Sequence, residues 1–542
     1  MRRIGPRGAV LPSLLALWAM LAPATARAYE INDDLEIRGT YRGESYIRLP
    51  QGTEKTFWSL QNQRFQTEDN DVLMSMRHEL RLDVEMTLHT ELLWEWLGRS
   101  RATIQLRPWW DMAYDLTTQG AAGHTQQLCP FWCNNGGAIP KLDGDASVAT
   151  RDAADPLFRE YYLDLTPDHF FFRIGRQIIP WGKSDGVYML DVINPFNLRN
   201  PTIFEEENFK VPVWAANLNY QPTPTSNLQL LYIPHYLHNW WGGINVRRSD
   251  GASIESRFHD WTYQIVGFFN DFYNGEFGFR VPVKYNLPAN TIGNSITGLR
   301  WSDSFARVNY TLNYLYTFTP NLIDYPNAGS FLSPKLTQVI RQPGIDRMHV
   351  IGGSADYDIN MGNDWLDGIV MRAETSFTLN DVYYKGTVGN PVATDHWGVL
   401  AGLDKTILSN YLERPVFASL QYWHDLVIHT PQNCNQCGPF AGRFQDLGYN
   451  GGLQGLRKAY KSLMTLYLSK NWLAGDTLIT EFFTLYEFQF GDFWVRPKVT
   501  WKINDYTTAA VGANIFAGGN QTPYGQWKDN TNLFFELRRA LF

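Results

Sequence analysis

The sequence predicts an all-β fold: a transmembrane antiparallel β-barrel of about 20 strands, within a range of roughly 16 to 22. Three observations carry that prediction. Apolar and polar residues alternate with a period of two over runs longer than soluble strands. Long and short connections alternate along the chain. The chain opens on an export signal and closes on an aromatic strand.

The alternation is clearest near the start. Leu35, Ile37, Gly39, Tyr41 and Gly43 fall on one face, and Glu36, Arg38, Thr40, Arg42 and Glu44 on the other. Leu80, Leu82, Val84 and Met86 oppose Arg81, Asp83, Glu85 and Thr87. Ile104, Leu106, Trp110 and Met112 oppose Gln105, Arg107, Trp109 and Asp111. Successive side chains on a strand point to opposite faces, so each run makes an apolar wall and a charged wall. A tilted strand needs roughly 9 to 11 residues to cross a bilayer, which these runs supply. Charge on one wall then faces a watery lumen, and the apolar wall faces lipid. Further strands are expected near 157–165, 170–180, 210–220, 228–236, 256–270, 275–286, 293–301, 305–319, 346–359, 365–378, 395–408, 413–427, 457–470, 477–488, 491–502, 506–516 and 530–541.

The connections give an independent test. With both ends in the periplasm, odd-numbered connections face outward and even-numbered ones are short turns. The odd series 49–73, 117–155, 181–209, 237–255, 320–345, 380–394, 428–456 and 517–529 is long. The even series, including Thr166 to His169, Pro222 to Asn227, Ser302 to Ser304 and Asn471 to Asp476, is short. Two odd connections, 287–292 and 489–490, break the pattern and mark where a miscount would fall.

The ends set the compartment. Arg2, Arg3 and Arg7 precede an apolar run from Val10 to Leu21, and Ala26-Arg27-Ala28 fits a small-x-small cleavage site. Residues 1–28 are read as a signal peptide and 29–542 as the barrel. The apolar run is too short to span a bilayer as a helix, which takes roughly 20 residues. Asn532 to Phe542 forms a last strand with an aromatic terminus, resembling the signal read by the outer-membrane insertion machinery. Only Tyr29 to Asp34 precede the first strand, so neither a plug nor a periplasmic module is expected there.

Composition agrees. Trp, Tyr and Phe number 20, 28 and 32, which suits the aromatic girdles of a membrane barrel. The formal net charge of −7 comes without a basic run, so no nucleic-acid partner is expected.

Four cysteines form two local pairs, Cys129 with Cys133 and Cys434 with Cys437, both in outer loops. An oxidising setting favours disulfides, with three connectivities open, over a tetrathiolate zinc site. No haem-attachment motif, nucleophile elbow, P-loop, His-Glu-x-x-His or dinucleotide fingerprint occurs, so neither an enzyme nor a cofactor or metal is expected. His78, His89, His349 and His424 read as polar groups of the lumen or rim, and Asp143-Gly144-Asp145 as a solvated turn.

The most distinctive segment runs from Phe170 to Asp185 and on through Asp191 to Asn197. It carries Arg173-Ile174-Gly175-Arg176-Gln177, then Trp181-Gly182, then Asn194-Pro195. This order resembles a large family of proteobacterial outer-membrane proteins known only as a domain of unknown function. Pro212 to Leu218, Arg372-Ala373-Glu374, Gly402 to Thr406, Gln421 to Asp425, Gly512 to Gly519 and Tyr524-Gly525-Gln526 extend the likeness over roughly residues 160 to 542. The resemblance implies a bacterial outer-membrane barrel linked to export or transport of hydrophobic molecules such as lipids or steroids.

The residues themselves point to a porin-like transport barrel. Arg38, Arg42, Arg81, Asp83, Glu85, Arg107 and Asp111 would line the lumen, with both signs present and no strong ion preference. Arg173, Gln177 and Asp185 would form a constriction where an outer loop folds inward. The plainer reading has Arg176 and Asp185 bracing that loop against the wall. Partners expected are outer-membrane lipid, the insertion machinery and a periplasmic transport partner. The alternatives are a scaffold or sheath around a partner complex, and an outer-membrane hydrolase.

Overall fold

In a computed structural model, the described residues are 29–32, 34–49, 56–59, 64–67, 73–92, 94–111, 157–184, 186–198, 202, 209–236, 239–241, 246–247, 253–254, 288, 291–320, 323–324, 343–344, 346–363, 366–384, 391–408, 414–428, 460–519 and 522–542. Several sequence expectations lie outside them: the signal segment, Asp143 to Asp145, and the constriction residue Asp185. The same holds for all four expected disulfide residues, Cys129, Cys133, Cys434 and Cys437, so their pairing stays an expectation of the sequence.

The wall is a closed antiparallel barrel of 18 strands. In chain order these are β1 (Leu35–Arg48), β2 (Leu73–Leu88), β3 (Ser100–Leu106, resumed at Trp109–Asp111), β4 (Phe158–Leu165), β5 (Phe170–Gln177), β6 (Val213–Tyr220), β7 (Asn227–Ile233), β8 (Ile296–Phe305) and β9 (Val308–Phe318). Then come β10 (Arg347–Ile359), β11 (Ile369–Tyr384), β12 (Pro391–Ile407), β13 (Val416–Val427), β14 (Tyr460–Trp472), β15 (Leu478–Glu487), β16 (Asp492–Asn504), β17 (Thr507–Ala517) and β18 (Asn532–Ala540). Each strand pairs with the next, and β18 closes on β1 with Asn532 opposite Arg48 and Ala540 opposite Thr40. Closure pairs every strand of the wall on both sides, which the hydrocarbon of a membrane demands. Tyr29–Asn32 adds a short antiparallel piece beside Ile37 and Glu36. β3 breaks at Arg107-Pro108 because proline has no N–H for the ladder.

Two expected strands, 256–270 and 275–286, lie outside the described residues, and the 18-stranded wall closes without them. β7 pairs directly with β8, Ile233 against Ile296 and Asn227 against Ser302, so everything between 234 and 295 belongs to one connection. Removing both keeps the long–short phase intact. The short pair at 489–490 is a true hairpin between β15 and β16. The expected connection 380–394 shrinks to 385–390, since β11 runs on past a register slip at Asp381.

The pairing register fixes which way every wall residue points. Outward fall Trp214, Leu299, Leu312, Ile351, Phe377, Trp397, Leu420, Tyr422, Phe482 and Phe535, all large, apolar and exposed. This belt is what lipid covers. Interfacial rings pair within it: Trp397 stacks on Phe377 at 5.8 Å and donates its indole N–H to Thr375 at 2.9 Å. Trp472 donates to Thr480 at 2.8 Å. The terminal Phe542 lies over Gly39 on the same face, and its carbonyl accepts the Gly39 N–H.

Three histidines expected at the lumen or rim also face outward. Each meets a polar partner there: His78 with the Tyr41 hydroxyl at 2.6 Å, His349 with that of Tyr314 at 3.0 Å, His424 with Ser462 at 2.8 Å. Their strand parity, shared with Leu80, Ile351 and Tyr422, explains the correction.

Candidate functional site

The residues that fill the barrel come chiefly from the connection 178–212 between β5 and β6, here called the strap. Its local form follows from its punctuation. Pro180 ends β5's line, and Gly182 and Gly186 adopt positive φ of 97° and 76°, where a side chain would be strained. Asn194 staples its two ends: its carbonyl oxygen accepts the Ile179 N–H at 2.7 Å and its amide donates to the Val211 carbonyl at 2.9 Å. Lys210, fully buried, pairs with Asp191.

An apolar seat holds the strap's first turn. Ile179, Trp181 and Ile193 pack against the inward residues Val213, Ala215, Leu231, Ile233, Ile296, Leu315, Met348 and Val350. The Trp181 indole donates to Gln229 at 2.8 Å, and Gln229 donates to Asn217 at 3.0 Å. Asn219 and Asn227 extend this amide chain at 3.0 Å each. Gln177, also buried, donates to the Ala215 carbonyl at 3.1 Å. Burying these amides costs little because each has a partner.

From there the strap follows the inner wall. Three inward positions have glycine where a side chain would collide with it. A Cβ on Gly298 (β8) would stand 2.9 Å from Trp181, one on Gly352 (β10) 2.5 Å from Leu190, and one on Gly398 (β12) 2.8 Å from the Met189 sulfur. Between these seats Lys183 pairs with Asp356, its N–H is accepted by Glu374, and its carbonyl accepts from Arg372. Arg372 is itself held by Asp404 at 2.7 Å. Val187 ends the arc in a second apolar cluster with Leu463, Phe483, Leu485, Trp494, Phe516 and, from the connection 518–531, Tyr524 and Trp527.

The facing sector, β18 and β1 to β5, carries an ionic ladder. Arg42 bonds Glu44 and Glu536. Glu79 takes Arg107 at 2.6 Å and Arg77 at 2.8 Å. Arg81 and Gln105 share Asp83, and Arg38 and Arg101 flank Glu85 at 3.7 and 3.3 Å. Arg173 pairs with Asp164 at 2.7 Å and lies over the Tyr162 ring. Of the residues singled out in the sequence, Arg38, Arg42, Arg81, Asp83, Glu85, Arg107 and Arg173 thus share this inner face. Gln177 is instead tied to the strap's seat. Asp111 is placed by its backbone alone, opposite Arg77. Sequence reading missed the three glycines, Trp181's role, and the Lys183–Asp356–Arg372–Glu374 group. Glycine at an inward strand position was the available signal.

Exposure divides the lumen by height. Toward the long-loop end Arg42 is 12 % and Arg107 5 % exposed, but toward the short-turn end Arg38 is 52 % and Arg101 62 % exposed. On β16 the inward series Asp492, Trp494, Arg496 is buried, whereas Lys498, Thr500 and Lys502 are half-buried. On β9, Thr311, Asn313 and Leu315 are buried, the last of them against the strap, and Asn309 is exposed. Among the described residues no group of three His, Cys, Asp or Glu is placed to hold a metal.

A closed barrel with an apolar outer belt and a charged interior is a membrane barrel of the outer-membrane kind. Residues 9–240 match the family model described as "Protein of unknown function (DUF1302)", a range that takes in the segment from Arg173 to Asn197 and stops before Arg372 and the later motifs. No curated protein matches the chain. Among solved structures, the chain is similar to Acinetobacter baumannii OccAB1 at 8% identity over 95% of this chain and 99% of that one, TM-score 0.43. It is similar to Acinetobacter baumannii OccAB4 at 7% identity over 94% and 98%, TM-score 0.44. It is also similar to Pseudomonas aeruginosa OccK5 (OpdH) at 7% identity over 94% and 98%, TM-score 0.41.

Proposed function

We propose that the protein is a porin-like outer-membrane channel in which the strap sets the narrowest point of a water-filled passage. The observation that carries this reading is the exposure step. Inward charged residues stay wet in the lower lumen and are packed over at the height of the strap. An 18-stranded wall encloses more space than side chains alone fill, as happens in barrels of about eight strands.

The lining favours small polar solutes. Arg38, Arg42, Arg81, Arg107 and Arg173 alternate with acids such as Asp83 and Glu85, and the half-buried Asn219 and Asn227 continue the wall as neutral amides. Paired charges of both signs orient a dipolar or zwitterionic solute without selecting strongly for one ion. A hydrophobic cargo meets no continuous apolar track among the described inward residues, so its passage would strip water from charged groups at a cost.

Swelling of liposomes carrying the purified barrel tests the reading. Small sugars and amino acids should enter, with a sharp cut-off in size. Absence of uptake for every polar solute, alongside transfer of a steroid or fatty acid, would replace it with the lipophilic reading.

A further inference from the structure

The first short turn, 89–99, does not lie flat under the barrel. Two 3-10 turns, Thr90–Leu92 and Glu95–Leu97, fold it against the outer wall. Thr90 holds it shut by donating to the Gly98 carbonyl at 2.6 Å, and Thr166 of the next short turn donates to the Arg99 carbonyl at 2.8 Å. Beneath it is a pocket of about 460 Å³ lined by Trp96, Leu97, Leu165, Phe170, Phe172 and Leu218, with Asp168 the single ionisable lining residue among the described residues. That volume lies within the range of small-molecule sites, about 300 to 1,000 Å³.

The floor of this pocket is lipid-facing wall. Leu165 pairs with Phe172 and Phe172 with Leu218, one outward row across β4, β5 and β6 at their short-turn ends. The pocket is therefore continuous with the surface that the membrane covers, at the level of the inner leaflet. Its roof carries Trp94 and Trp96, 59 % and 65 % exposed, the residue type that settles at the headgroup boundary. Arg99, two residues past Leu97, holds its guanidinium mostly in solvent beside Glu91, where an anionic headgroup would meet it. Here a roof turns the lipid-facing wall into a slot.

We propose that this slot is a specific site for one acyl chain of an inner-leaflet phospholipid, with its phosphate toward Arg99. The occupant follows from the surroundings: water finds few hydrogen-bond partners in an apolar slot, and the neighbouring phase is hydrocarbon. The inference rests on the barrel's place in the membrane and is independent of what passes through its lumen.

The test is photolabelling of the full-length barrel in phosphatidylethanolamine–phosphatidylglycerol liposomes, using a trace phosphatidylethanolamine with a diazirine in its acyl chain. Peptides holding Trp96–Leu97 and Phe170–Phe172 should be labelled several-fold more than the equally lipid-facing Leu299 and Leu312. Leu218→Trp, which fills the slot from the lipid side, should bring that labelling down to wall level and leave Leu299 unchanged; heat-dependent gel migration confirms that the variant is folded. Trp96→Ala, which lifts the roof, should do the same. Uniform labelling around the wall, or undiminished labelling in Leu218→Trp, overturns the proposal. So does a diazirine fatty acid labelling the slot where the phospholipid does not.

Discussion

The upper and lower lumen are built from the same strands and the same inward residue types, yet they are different environments. Near the long loops, Arg107 and Glu79 are nearly sealed from solvent and bonded to each other. A few residues lower, Arg38 and Arg101 reach into open space beside Glu36 and Glu85. Across the lumen the upper wall is packed over as well. The strap brings Trp181, Leu190 and Met189 onto bare glycines above, and among the described residues nothing comparable covers the wall below. Ion pairs in the upper zone are structural, because a desolvated charge that loses its partner is costly; those in the lower zone are screened and replaceable.

That contrast can be broken in graded steps. Trp181→Ala should have the largest effect, removing a fully buried indole from the strap's seat and leaving Gln229 short of a donor; about 3 to 5 kcal/mol is expected for such a truncation, read as a lower urea midpoint in detergent-resistant gel migration. Glu79→Leu strips Arg107 and Arg77 of the carboxylate they share and should cost about 3 kcal/mol by the same assay, while Glu85→Leu in the open zone should cost under about 1 kcal/mol. Gly398→Ala should press on Met189 and cost about 1 to 3 kcal/mol; the companion Gly368→Ala, at a short-turn position with φ of 75° and open space around it, reports backbone strain without touching the strap.

The smallest effect is expected at the short-turn rim. His89, in the turn after β2, lies between Glu91 and Asp34, each at 2.9 Å, and those hydrogen bonds raise its pKa above the ordinary value of about 6.5. A raised histidine contributes stability that is fully present below its unfolded pKa and is lost as pH rises through the folded one. Wild type should therefore lose a slight increment between about pH 6.5 and its folded pKa, and His89→Ala should flatten that slope. Unfolding midpoints across the pH series would check both.

The division also explains what the sequence could and could not reveal. Alternation is local, so the inward set from Arg38 to Arg173 and the long–short phase of connections were legible. The same local signal overcounts the wall, by two strands against the 18 that close, because only pairings between residues far apart in the chain, such as β7 with β8, decide which stretches join it. The outward histidines were legible by parity and were misread by residue type. Filling is different: Trp181, Leu190 and Met189 reach Gly298, Gly352 and Gly398, glycines 117 to 209 residues further along the chain, which no period-two pattern contains. Gly298, Gly352 and Gly398 were its one visible trace, small residues at inward positions where the wall otherwise has bulk.

Single-channel recording of a barrel whose strap residues 183–190 are replaced by a short glycine linker tests the central claim most directly. The strap-bearing protein should conduct weakly, and the shortened one should show a several-fold larger unit conductance with its barrel still folded. Equal conductance in the two would mean that the strap is not the narrowest point of the passage.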